Sequence, residues 1–193
     1  MKNKIAKVLI LIGLLICVTS ISTKVYSNYI ENKATKRFEE EINKNTNVSK
    51  EDDFSNVKPG DEIAIINISS INLNTVVVES IEKQYLNHYV CHFENSAMPG
   101  ENGNFSLAGH SSYRYKEVFN EAHNIKLNDE IIIKTLNNEF TYIVKDIYEV
   151  NPEDTFVLEQ DNEIKELTIV TCTNKGKDRL IVKAQILEAE KDK

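Results

Sequence analysis

The sequence has no tryptophan, three prolines, six glycines and three cysteines among its 193 residues. Several compact motifs are missing as well, and each absence removes a class of chemistry. Without a Walker loop or a G-x-G-x-x-G turn, there is no phosphate cradle of the nucleotide-binding type. The lack of a G-x-S-x-G elbow removes the usual serine-hydrolase nucleophile. With no H-E-x-x-H and no second Cys-rich pair, the i, i+4 spacing of His88 and His92 beside Cys91 is a weak zinc signal. Nor is there an internal repeat. Basic residues are scarce outside the N-terminus: residues 25–193 carry 19 Lys and Arg against 30 Asp and Glu, or −11. So acidic a segment lacks the basic face that nucleic acid requires and the polybasic surface that binds anionic lipid.

The N-terminus has the opposite character. Lys2, Lys4 and Lys7 precede the apolar run of residues 8–18, and no charge occurs between Lys7 and Lys24. Those sixteen residues give roughly 24 Å of helix, a little short of a hydrocarbon core of about 30 Å. Lysines at both ends can snorkel and close the gap. The rival is a cleaved signal peptide, but the exit (residues 19–24, TSISTK) has no alanine for an A-x-A-like site. An uncleaved single-pass anchor over residues 1–24 is therefore expected, with the basic end inside and the remainder exported to the extracytoplasmic face. Residues 25–42 are mostly charged, with Tyr29, Phe38 and Ile42 as sparse apolar points, and suit an exposed helical stalk. Residues 43–57, rich in Asn, Ser and acids, read as a linker, so that 25–57 forms a solvated spacer.

From residue 58 the pattern changes to short β-branched runs separated by turn residues. Strands are expected over 62–68, 71–78, 105–108, 130–135, 140–150, 167–172 and 179–187. One short helix fits 80–90 and a helical turn fits 116–125. Asn137-Asn138 marks a hairpin turn, and Asn151-Pro152 ends a strand. Seven or eight strands and little helix in about 130 residues indicate an all-β sandwich or barrel over 58–190.

Three residues on this pattern could carry chemistry. Cys172 closes an apolar strand and faces the polar loop 173–178. A strand cysteine is most often a small hydrophobe, but catalytic side chains gather where a strand gives way to a loop. Lys175, Lys177 and Arg179 surround it with positive charge, which favours a reactive thiolate. His110 follows Gly109 at a strand end, where glycine permits close backbone approach. His123 lies in polar surroundings and reads as a surface residue. Arg179 opens the last strand, and pairing of the last two strands across the loop would bring it near Cys172. Cys17 reads as a lipid-facing filler. Cys91 reads as a free buried thiol, with a Cys91–Cys172 disulfide as the rival.

Taken in chain order, three segments resemble the sortases, the cysteine transpeptidases of Gram-positive cell surfaces. Residues 99–110 (PGENGNFSLAGH) resemble the segment that ends in the family's catalytic histidine. Residues 167–172 (LTIVTC) match its T-L-x-T-C strand, with Ile at 169. Residues 179–182 (RLIV) resemble its R-x-x-V strand. The resemblance covers roughly 58–188. It implies a closed eight-stranded β-barrel with one or two short helices behind an N-terminal transmembrane helix. It also implies a catalytic set of Cys172 as nucleophile, His110 as acid/base and Arg179 on the reacting carbonyl. The implied partners are proteins bearing an LPxTG-like sorting signal, and an amine acceptor from a peptidoglycan precursor or a pilin. No cofactor is implied. Some relatives respond to calcium, but Glu94, Glu101, Asp154 and Glu163 form no spacing suited to a site. With no Asp-Pro dipeptide, no tryptophan and only residues 151–166 before the cysteine strand, a class D-like or class A-like member fits better than a lidded pilin polymerase or class B. The same residues would also serve a peptidase that uses water as acceptor. A catalytically silent sortase-like scaffold is the third reading.

Overall fold

The computed structural model describes residues 2–45, 51–111 and 118–186. A 44-residue helix, α1 (Lys2–Asn45), comes first. Eight strands follow: β1 (Glu62–Ile68), β2 (Leu73–Glu79), β3 (Val90–His92), β4 (Gly103–Ala108), β5 (Glu130–Lys134), β6 (Glu139–Val150), β7 (Lys165–Thr173) and β8 (Asp178–Ile186). They close a barrel in the order β1-β2-β3-β4-β7-β8-β6-β5. Pairing is parallel for β2/β3 and β4/β7 and antiparallel elsewhere. Closure leaves no strand edge unpaired. Of the all-β sandwich or barrel expected from the strand pattern, the barrel is what forms.

Side-chain alternation decides what fills it. Ala64, Ile66 and Ile68 of β1, Val77 of β2, Phe105 and Leu107 of β4, Leu167 and Ile169 of β7, and Val182 and Ala184 of β8 form the interior. The outer face of the β1–β2 wall is apolar too. Ile65, Val76 and Val78 point outward and are still at most 2% exposed, because the second half of α1 covers them with Ala34 and Phe38. The solvated spacer expected over 25–57 is therefore not what the structure shows. Ser27, Glu31, Thr35 and Phe38 are buried, and Arg37 forms a two-pronged ion pair with Glu62. Asp52 continues the attachment. Its carboxylate accepts bonds from Thr135 Oγ1 (2.6 Å) and Asn138 Nδ2 (2.7 Å), pinning the segment to the β5–β6 turn.

The connections mostly follow their turn chemistry. The backbone of Thr135 donates to Asn138 O at 2.9 Å, closing the hairpin expected at Asn137-Asn138. β6 stops at Val150, before Pro152. The helix expected over 80–90 is only one turn, α2 (Lys83–Leu86). Val90 instead begins β3, where Val77 and Ala108 lie on either side of the Val90-Cys91 pair in the sheet. Of the helical turn expected over 116–125, residues 118–125 show a turn and a 3-10 segment at Ala122–Asn124. Residues 116 and 117 lie outside the described residues.

Candidate active site

Three strand ends meet at one rim. In the parallel β4/β7 pair Ala108 stands beside Val170, and continuing that register by two residues sets His110 beside Cys172. In the antiparallel β7/β8 pair Cys172 stands directly opposite Arg179. Alternation puts all three on the same side: Leu107, Ile169 and Val182 point inward, so His110, Cys172 and Arg179 point outward. The sequence-expected trio is thus gathered on the outer face of the barrel at one end.

Short bonds fix the approach of β4 to β7. Gly109 N donates to Val170 O at 3.3 Å. Thr171 Oγ1 donates to Gly109 O at 2.8 Å. Ser111 Oγ donates to Cys172 O, so both sides of the His110 backbone are tied to the cysteine strand. Gly109 has a steric reason to be glycine. A Cβ there would come within 2.6 Å of Cδ2 of Phe119, a ring that is itself 1% exposed.

A cleft of about 630 Å³ opens beside this rim. His110, Cys172, Phe119 and Asn120 line it, together with the loop residues Asn174 and Lys175. His123 lines it as well. From sequence it reads as a bystander on the surface; it is indeed exposed, and its Nδ1 lies 3.0 Å from Asn120 O. No local pattern marks it, because only the tertiary fold brings the 3-10 segment over the cysteine strand. Arg179 does not line the cleft. Its Nη1 donates to Gly176 O (3.2 Å) in the β7–β8 loop and to Asp178 O (3.3 Å) at the start of β8. Burial disfavours the charged form of His110 and holds its imidazole below the ordinary value near 6.5.

The other histidines and cysteines do not converge. His88 Nδ1 lies 2.8 Å from Ser27 Oγ. His92 is wholly buried, with Nδ1 2.6 Å from Glu79 Oε2 and Nε2 2.8 Å from Ser96 Oγ. Among the described residues no group of three or more His, Cys, Asp or Glu forms a metal-holding cluster. Cys91 is free and buried, with β4 between its strand and that of Cys172. Burial pushes its thiol up to about 12, so it is inert.

A thiol and an imidazole open to one cleft, with a guanidinium on the adjacent strand, form a constellation suited to nucleophilic acyl transfer on a closed β-barrel. Comparison with known proteins gives the family. The sortase domain profile matches residues 66–187, and the chain belongs to the sortase family. It is 33% identical over 113 residues to sortase A of Bacillus anthracis, covering 58% of this chain and 52% of that protein. It is 29% identical over 113 residues to sortase D of Bacillus subtilis, covering 58% and 55%. The matches thus span about half the length of these two relatives. The structure of a Clostridium perfringens sortase D5 transpeptidase is similar over 83% of this chain and 99% of that one, at 42% identity and a TM-score of 0.72. A class D-like assignment is consistent with these relatives.

Proposed function

We propose that this chain is a membrane-anchored cysteine transpeptidase acting on LPxTG-like sorting signals. The observation that carries the reading is the register at the rim, which sets Cys172 opposite Arg179 on one side and beside His110 on the other. The Cys172 thiolate attacks the carbonyl carbon of the Thr–Gly bond and forms a tetrahedral oxyanion. His110, protonated, gives its proton to the departing glycine amine as the C–N bond breaks, leaving a thioester on Cys172. An incoming amine then attacks the thioester carbon, His110 takes its proton, and the sulfur leaves as thiolate. Both backbone carbonyls that Arg179 bonds are met by Nη1, and its Nε and Nη2 donors serve the oxyanion. The amine belongs to a peptidoglycan precursor or a pilin.

The N-terminal half of α1 supplies the anchor. Among the described residues one helix is long and apolar enough to cross a membrane, and the lysines ahead of residue 8 keep its start on the cytoplasmic side. Residues 1–24 then form the anchor and 58–190 the extracytoplasmic catalytic domain. Full-length protein in detergent, incubated with a panel of LPxTG-like peptides and weighed intact, tests the chemistry. A thioacyl adduct on wild type, absent from Cys172→Ala and discharged by an added amine, supports it. Discharge at the same rate by water alone would favour the peptidase reading. No adduct from folded, reduced protein would favour a silent scaffold.

A further inference from the structure

Resting on the reading of residues 1–24 as a membrane anchor, we propose that the barrel has no flexible tether. Helix α1 mounts it rigidly on the bilayer, with the β3–β4 wall that leads to His110 turned toward the lipid surface. The helix is unbroken from Lys2 to Asn45. Its buried positions begin at Ser27 and recur at Glu31, Ala34, Thr35 and Phe38, a stripe on one helical face. Ser27 is three residues past Lys24, about 4.5 Å of rise. The first barrel contact therefore falls within one turn of the charged end of the apolar run, and the helix has no room to hinge before it.

The order of the contacts gives the orientation. Ser27 meets His88, just ahead of β3. Glu31 accepts from Thr75, and Thr35 Oγ1 accepts from Val76 N, both on β2. Arg37 meets Glu62 on β1. Moving away from the membrane end, α1 thus meets the connection that leads into β3 first, and only then the β2–β1 wall, where Glu31, Thr35, Arg37 and Glu39 all find their partners. Strand β3, and β4 on its far side, form the wall nearest the bilayer, while β5 lies beyond β1 and away from it. His110 lies two residues past the end of β4. Tyr26 and Tyr29, each 61% exposed on the helix beside this junction, have the amphipathic rings that settle at the headgroup level. Electrostatic adsorption is not the cause, since residues 25–193 carry −11 and an anionic leaflet repels such a surface. A reactant held in the same leaflet would reach the cleft without any bending of the enzyme.

The absence of tryptophan makes the test direct. Gln84→Trp places a reporter at an exposed position on α2, in the segment that leads to His88 and β3, and Leu127→Trp places one at an exposed apolar position just before β5. Each full-length variant is reconstituted in phosphatidylcholine vesicles bearing headgroup nitroxides. The expected result is loss of emission for Gln84→Trp and none for Leu127→Trp, unchanged when sodium chloride is raised. A Gly-Ser insertion between Lys24 and Val25, which leaves every barrel contact intact, should restore the emission of Gln84→Trp. Equal quenching of both reporters, quenching of neither, or a difference abolished by salt, in chains that resist alkaline extraction, overturns the rigid mount and leaves the anchor standing. Chains that wash out at alkaline pH overturn both.

Discussion

Cys172 and Arg179 face each other across the β7–β8 pair and project from the same side of the barrel. Residues in such a pair have Cβ atoms about 4.5–5.5 Å apart, so the two side chains start from neighbouring positions on one face. The planar fork of arginine can hold a carbonyl or oxyanion in a way the point charge of lysine does not. Arg179→Lys is expected to lower kcat/KM for sorting-signal peptides by about 10²–10³ while leaving the thermal midpoint unchanged. Near-wild-type activity in that variant would remove Arg179 from the mechanism.

Gly109 packs against Phe119, which lines the cleft. The ring of Phe119 occupies the space that a Cβ at 109 would need, and Phe119 N donates to His110 O at 3.0 Å. Gly109→Ala must push the ring aside, at an overpacking cost of about 1–3 kcal/mol, and the displacement passes to the histidine backbone. Thioacyl formation should fall more than stability does. Peptide kinetics beside a urea titration make the check, and unaltered kinetics would mean that the ring moves without consequence.

The proposed trio was legible in the sequence because each member sits where a strand pattern stops and because the three segments, in chain order, resemble those of the sortases. Cys172 closes an apolar run, His110 follows the glycine that ends β4, and Arg179 opens the last strand. The docking of α1 was not legible, for a physical reason. Its buried face is built from Ser27, Glu31 and Thr35 as well as Ala34 and Phe38, so the helix shows no apolar stripe to read. The complementary signal lies on the barrel. The runs over 62–68 and 73–78 are almost continuously apolar, the mark of strands covered on both faces, and Ile65, Val76 and Val78 needed something to lie on them. Strand β3 escaped because it has only three residues and follows directly on a helical turn. His123 escaped because nothing local ties it to the cleft.

Covering the outer wall has a stability consequence. A chain beginning at residue 58 loses Ala34, Phe38 and the Asp52 attachment, and exposes the outer faces of β1 and β2. It should melt below a chain beginning at residue 25 and should aggregate on heating. In the longer chain, Phe38→Ala is expected to cost about 3 kcal/mol, at the low end for a buried phenylalanine. Differential scanning calorimetry of the three proteins decides the matter, and equal midpoints would mean that the helix adds no stability to the barrel.

Burial of His110 ties stability to pH. Its proton binds less well in the folded chain than at the ordinary value near 6.5. Between those two values the unfolded chain binds more protons at this group, so unfolding is favoured as acid is added. The contribution is fully present above pH 6.5 and is lost as the pH falls toward the native value. His110→Gln removes that dependence. Urea midpoints measured from about pH 7 down to pH 5 should fall more steeply for wild type than for His110→Gln. Parallel curves would show that burial does not disfavour the imidazolium.

Glu79 and His92 form a pair with no part in the proposed chemistry, and removing one partner should show it. Nδ1 of His92 lies 2.6 Å from the Glu79 carboxylate, Nε2 faces Ser96 Oγ and Ala97 O, and both side chains are almost wholly excluded from water. Glu79 ends β2 and His92 ends β3, and Ser96 belongs to the turn that leads into β4, so the pair staples three segments below the rim. Glu79→Ala leaves a buried ring nitrogen of His92 without its partner, and an unsatisfied buried polar group costs about 1–3 kcal/mol. The loss should appear in the unfolding free energy. At temperatures where the variant stays folded, kcat/KM should remain close to wild type, because His110 and Cys172 keep their register through the β4/β7 pairing. A folded Glu79→Ala protein with activity reduced as far as Arg179→Lys would instead place the pair in the catalytic machinery.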